Sequence, residues 1–108
     1  MSSFAGNHPT SVDLTDLSGL DKIVAVYGVG DDCIVVRTAD ARDIRITAWR
    51  NLATGEYVAD FERRSTIKSG AKDMQVWAYT PAYARCTGAD RQSCLEAAVL
   101  EVDRVYLY

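Results

Sequence analysis

Residues 43–49 read Asp43-Ile44-Arg45-Ile46-Thr47-Ala48-Trp49, a run in which polarity changes at every position. Such an alternation suits a half-buried β-strand, with Ile44, Ile46 and Ala48 on one face and Arg45, Thr47 and Trp49 on the other. A helix would scatter the same residues around its circumference. This stretch therefore sets the expected fold, and the neighbouring segments extend it.

On the N-terminal side, Asp40-Ala41-Arg42 reads as a turn, and Cys33 to Thr38 as the strand before it. Lys22 to Tyr27 is β-branched and leads into Gly28-Val29-Gly30-Asp31-Asp32, where glycine and aspartate suit the positive-φ positions of a hairpin. On the C-terminal side, Asn51-Leu52-Ala53-Thr54-Gly55 is a turn. Glu56 to Ile67 then forms a long strand, with Tyr57, Ala59 and Phe61 opposite Val58, Asp60 and Glu62. Ser69-Gly70-Ala71 reverses the chain, and Lys72 to Thr80 sets Met74, Val76 and Ala78 against Gln75, Trp77 and Tyr79 before Pro81 ends the strand.

Connections this short permit only antiparallel neighbours, so the five strands are expected to form a meander, either an open sheet or a partly closed barrel. One face needs a cover. From Asp90 to about Arg104 the spacing Ser93-x-x-Glu96 reads as a capping box, and Leu95, Ala98, Val99, Val102 and Val105 fall on one helical side. The expected class is α+β, mainly antiparallel β, with a C-terminal helix packed on one face and an extended end at Val105-Tyr106-Leu107-Tyr108. A short helix followed by a sixth strand from Leu100 to Tyr108 is the rival reading. Residues 1–12 read as a mobile leader and 13–108 as one β-rich domain, with a single helical turn over Asp13 to Gly19.

The chain has 108 residues, 48% of them hydrophobic and 25% charged, with a net charge of −3, an ordinary composition for a globular domain. No apolar run approaches the roughly 18 residues of a membrane-spanning helix. The N-terminus lacks the basic and apolar regions of a secretory signal, so a cytoplasmic location is the default, with secretion open only if a signal has been trimmed. The charge is uneven. Residues 1–36 hold five acids against Lys22, whereas residues 37–72 hold eight bases against five acids.

The usual catalytic sets are missing from the sequence. His8 is the only histidine and precedes Pro9 in the leader, where nothing would hold it rigidly as a base. One histidine with Cys33, Cys86 and Cys94 does not make a zinc ligand set. Gly28-Val29-Gly30 lacks the third glycine and the following helix of a dinucleotide fingerprint, and Asp31-Asp32 lacks the alternating oxygen ligands of a calcium loop. Asp60 and Glu62 read as surface carboxylates, with Arg64 as an ion-pair partner, more readily than as a glycosidase pair. Neither a metal nor a cofactor is expected. Cys86 and Cys94 bracket a short loop that an oxidising compartment would allow a disulfide to close, and an activated thiol there would be the route to an enzyme.

The remaining constellation is aromatic. Trp49 shares a strand face with Arg45, while Trp77 and Tyr79 share one with Gln75. If both lie on the same side of the sheet, Trp49, Trp77, Tyr79, Arg45 and Gln75 form a platform suited to stacking and cation–π contact. Three roles compete for it: core beneath the C-terminal helix, an interface for a protein partner or a second copy, or a face for single-stranded nucleic acid or a small ligand. The acidic balance, with a pI near 5.0, weighs against nucleic acid. The expected function is accordingly a small non-enzymatic binding domain acting on a protein partner.

Overall fold

A computed structural model of the chain describes residues 20–30 and 32–105. The leader, the turn at Asp13 to Gly19, His8, Asp31 and the end at 106–108 lie outside the described residues. Strands β1 (Ile23–Gly28), β2 (Cys33–Thr38), β3 (Asp43–Arg50), β4 (Tyr57–Ser69) and β5 (Lys72–Tyr79) form an antiparallel sheet in chain order. A two-residue strand, β6 (Thr87–Gly88), then pairs with the start of β4, and a helix, α1 (Arg91–Val105), follows. The sheet is open: among the described residues no pairing joins β1 to β5.

Turn chemistry explains the connections. Gly70 takes φ 67° at the first position of the two-residue link between Ser69 and Lys72, where a glycine is favoured. Gly55, at φ 78°, receives the chain as its N–H donates to the Asn51 carbonyl at 2.7 Å. The expected positive-φ glycine before β2 is not found at Gly30. Instead Ala41 adopts φ 67° in the link between β2 and β3, directly after a turn closed by its N–H on the Thr38 carbonyl at 2.9 Å. A left-handed residue after a type I turn keeps the hairpin twist, and glycine normally fills that position.

The registers run without interruption from β2 to β5, with Ile46 opposite Phe61 and Ala48 opposite Ala59. Ile34, Val36, Ile44, Ile46, Ala48, Ala59 and Phe61 thus come together on one face, where Leu95, Ala98, Val99 and Val102 of α1 cover them. Full burial of a Leu, Ile or Val side chain contributes about 1.5 to 3 kcal/mol, so this one layer dominates stability. The helix occurs where the apolar spacing places it, ending at Val105, and the rival sixth strand does not form within the described residues.

Three details depart from the expected pattern. The helix is capped by Asp90, whose Oδ1 accepts the Ser93 N–H at 2.7 Å. That bond also lowers the Asp90 pKa below the usual carboxylate range. Ser93 is therefore inside the helix, and Glu96 accepts a hydrogen bond from Gln92 Nε2 at 2.6 Å rather than closing a capping box. Glu101 is buried among the apolar residues of α1, where it accepts the Ala84 N–H at 2.7 Å and holds Arg104 at 2.9 Å. Tyr83 and Cys86, in the segment after Pro81, also enter the core, Tyr83 with its ring 4.9 Å from that of Phe61.

The structure makes opposite demands at two small residues. A Cβ on Gly88 would lie 2.5 Å from the Cys94 amide nitrogen and 2.9 Å from its Cα, both backbone atoms that cannot move aside cheaply. Gly88→Ala is expected to destabilise the chain by about 1 to 3 kcal/mol through this overpacking, seen as a lower urea midpoint with an unchanged m-value. Ala41→Gly is expected to act in the other direction, because relief of the left-handed alanine outweighs the added chain entropy; a gain of about 0.5 to 1 kcal/mol should raise Tm by a few degrees in a thermal melt.

Candidate functional site

The helix-free face of the sheet is built by the residues that alternate with the core. The registers pair Arg45 with Glu62, Glu62 with Tyr79, and Arg64 with Trp77, and place Trp49 opposite Val58. Trp49, Trp77, Tyr79, Arg45 and Gln75 therefore lie on one side of the sheet, opposite α1. Core burial beneath the helix does not apply to this platform.

Its centre is Trp77. The guanidinium carbons of Arg45 and Arg64 each lie 5.0 Å from the centroid of the Trp77 ring. Both cations are held by carboxylates, Arg45 by Glu62 at 2.7 Å and Arg64 by Asp43 at 3.6 Å. Asp43 also receives Arg37 Nε at 2.9 Å, and Arg37 sits 5.9 Å from the Tyr27 ring centroid. Charged and aromatic groups thus continue across the face from β1 to β5. Each cation–π contact contributes about 0.5 to 1 kcal/mol at such partly exposed positions. Arg64 does not pair with the neighbouring Asp60 or Glu62, as its place on their strand face suggests; it pairs with Asp43 and forms the second half of the stack on Trp77.

The other platform residues separate from this centre. Gln75 Nε2 donates to Thr66 Oγ1 at 2.7 Å, a cross-strand bond that occupies the amide. Trp49 and Tyr79, 41% and 69% exposed, instead border a cleft of about 160 Å³ together with Val58, Asp60, Tyr83 and Arg85. The cleft exists because the chain leaves β4 after Thr80, whose N–H donates to the Phe61 carbonyl, and returns to it only at Cys86, whose carbonyl accepts the Ala59 N–H. Tyr83 and Arg85 lie in a segment with no periodicity, which is why the alternation that found Trp49 could not find them.

The cysteines remain thiols. Cys33 lies on the helix-free face and accepts a hydrogen bond from Thr47 Oγ1 at 3.5 Å. Its pKa is raised by burial, with the Thr47 bond and Arg45 opposing the shift. Burial raises Cys86 as well, aided by the negative charge of Glu101. Cys94 is pushed up to about 11, again mainly by burial, with Cys86 adding to it. An activated nucleophilic thiol requires a shift in the opposite direction. Among the described residues, no group of three His, Cys, Asp or Glu side chains is placed to hold a metal ion. Likewise no helix there is long and apolar enough to cross a membrane. No family model, curated protein or solved structure matches the chain.

Because the folded chain holds the Cys94 proton more tightly than an unfolded chain would, this thiol's contribution to stability is intact at neutral pH and is lost as pH rises toward 11. Iodoacetamide at pH 8 is accordingly expected to leave Cys86 and Cys94 unmodified in the native protein, with full labelling only in denaturant. Mass spectrometry of tryptic peptides after a timed reaction checks this; native labelling of Cys94 as fast as that of free cysteine would contradict it.

Proposed function

We propose that this chain is a small non-enzymatic interaction domain that binds a protein partner through its helix-free sheet face. The observation that carries this reading is the position of α1 on the opposite side, which leaves Trp49 and Tyr79 open to solvent around a cleft. Exposed Trp and Tyr beside a fixed Arg are the residue types enriched at protein-binding hot spots. The preassembled stack of Arg45, Trp77 and Arg64 supports it by reducing the side-chain ordering that binding would require.

Two features favour a protein over the other ligands. A cleft of about 160 Å³ is below the roughly 300 to 1,000 Å³ of small-molecule sites but suits a single inserted side chain. For nucleic acid, the face would need cations available to phosphate, whereas Arg37 and Arg45 are each held within 2.9 Å of a carboxylate, and the chain carries a net charge of −3.

The test is the pair Trp49→Ser with Tyr79→Ser, chosen because both side chains are exposed and outside the core. The double variant should keep the circular dichroism and Tm of the parent, yet bind the partner isolated on the parent chain at least ~30-fold more weakly by surface plasmon resonance, the effect of losing about 2 kcal/mol. Unchanged affinity would overturn the assignment. Quenching of tryptophan emission by single-stranded oligonucleotides that falls steeply with salt would replace it with the nucleic-acid reading.

A further inference from the structure

Strand β4 is 13 residues long, and its two edges are used unequally. Toward β5 it is paired as far as Ser69, which faces Lys72. Toward β3 the register ends at Ile44 and Arg63, because β3 begins at Asp43 and the chain before it turns away toward β2. Among the described residues, the β3-side edge of β4 has no partner strand beyond that point.

Strand alternation identifies the groups left on that edge. The Ala59 N–H donates to the Cys86 carbonyl and the Phe61 carbonyl accepts from the Thr80 N–H, so odd-numbered residues of β4 direct their backbone groups away from β3. With the registers unbroken, Thr66 and Lys68 turn their N–H and C=O groups into the lane that β3 vacates. The lane begins at a notch of about 520 Å³ bordered by Ala41, Arg42, Arg63, Arg64 and Gln75, with Asp43 at its base.

The side chains along the lane differ by face. Arg64 and Lys68 project to the helix-free side, while Arg63 and Ile67 project to the other, where Ile67 is exposed beyond the reach of α1. Arg42 adds a further cation at the mouth. Three acids stand beside these cations: Asp43 is shared by Arg37 and Arg64, Asp40 lies 2.9 Å from Arg42, and Asp73 lies 3.2 Å from Lys68. The Arg42 and Lys68 pairs are solvent-exposed and therefore weak, so an incoming carboxylate can exchange with them.

We propose that this lane is a second binding site, distinct from the Trp49 and Tyr79 cleft, and that it takes an extended acidic segment of a partner protein as an added strand on β4. The main chain of that segment pairs with Thr66 and Lys68. Its acidic side chains meet Arg64 and Lys68 on one face, and alternate apolar side chains cover Ile67 on the other. A second copy of this chain is the wrong occupant, because antiparallel pairing of two such edges sets Arg63, Arg64 and Lys68 against the same residues of the copy.

The probe is an acetylated and amidated peptide of alternating glutamate and valine, with an alternating lysine and valine peptide as control. Fluorescence anisotropy should show saturable binding of the glutamate peptide only. In the unmodified chain, hydrogen exchange followed by NMR should show the Thr66 and Lys68 amides becoming at least 10-fold more protected on binding. Thr66→Pro removes an open-edge donor and leaves the β4–β5 main-chain pairing in place, losing only the Gln75 side-chain bond across it; it should weaken binding at least 10-fold, as should Lys68→Glu. Trp49→Ser with Tyr79→Ser should leave it unchanged, which separates this site from the face proposed above. Several outcomes would overturn the proposal: no binding, equal binding of the lysine peptide, protection at the β1 or β5 edge instead, or concentration-dependent self-association protecting Thr66 and Lys68.

Discussion

Everything else in this structure depends on one packed layer, the contact of Leu95, Ala98, Val99 and Val102 with Ile34, Val36, Ile44, Ile46 and Phe61. Five strands joined in chain order have two faces and no intrinsic reason to prefer either. Once α1 settles on the aliphatic face, the inside and outside of the domain are defined. Arg37, Arg45, Trp49, Glu62, Arg64, Trp77 and Tyr79 are then left outside by alternation alone, and the charged and aromatic groups on that side satisfy one another.

The helix reaches that position because both its ends are tied to the sheet. At the N-terminus, Asp90 caps the first turn and Gly88 lets β6 approach the backbone of Ser93 and Cys94 closely. At the C-terminus, Asp103 accepts the Lys22 N–H at 2.6 Å, connecting the last turn to the entrance of β1. Between them, Glu101 takes a polar role within an apolar stripe by satisfying the Ala84 N–H. A buried carboxylate with two fixed donors fastens the irregular segment after β5 to the helix, which in turn brings Tyr83 and Cys86 into the core.

The sheet was legible in the sequence because its signal is local. Period-two alternation over Asp43 to Trp49, and again over Lys72 to Tyr79, needs no knowledge of distant residues, and those strands occur within a residue of their expected bounds. The helix was legible for the same reason. The side on which it packs was not, since both sheet faces carry enough apolar area to attract a cover and only the registers show that Trp49 and Trp77 share a face. β6 is two residues long and paired by main-chain geometry, so it leaves no pattern. Ala41 in a left-handed turn and Glu101 in the apolar stripe contradict local preference, and tertiary contacts hold both. The candidate cleft was half visible: Trp49 and Tyr79 follow from alternation, while Tyr83 and Arg85 belong to an aperiodic segment whose course depends on where β5 ends.

The unequal lengths of β3 and β4 have a consequence for how this fold can vary. Beyond Arg63 the hairpin of β4 and β5 stands outside the layer covered by α1, so its strand pairs add little to the cooperative core and can open without it. Its tip can therefore gain or lose matched pairs of residues, one on each strand in steps of two, while every remaining side chain keeps its face and the core registers stay as they are. The domain thus combines a fixed body with an appendage of adjustable reach, and the two can change independently over evolutionary time.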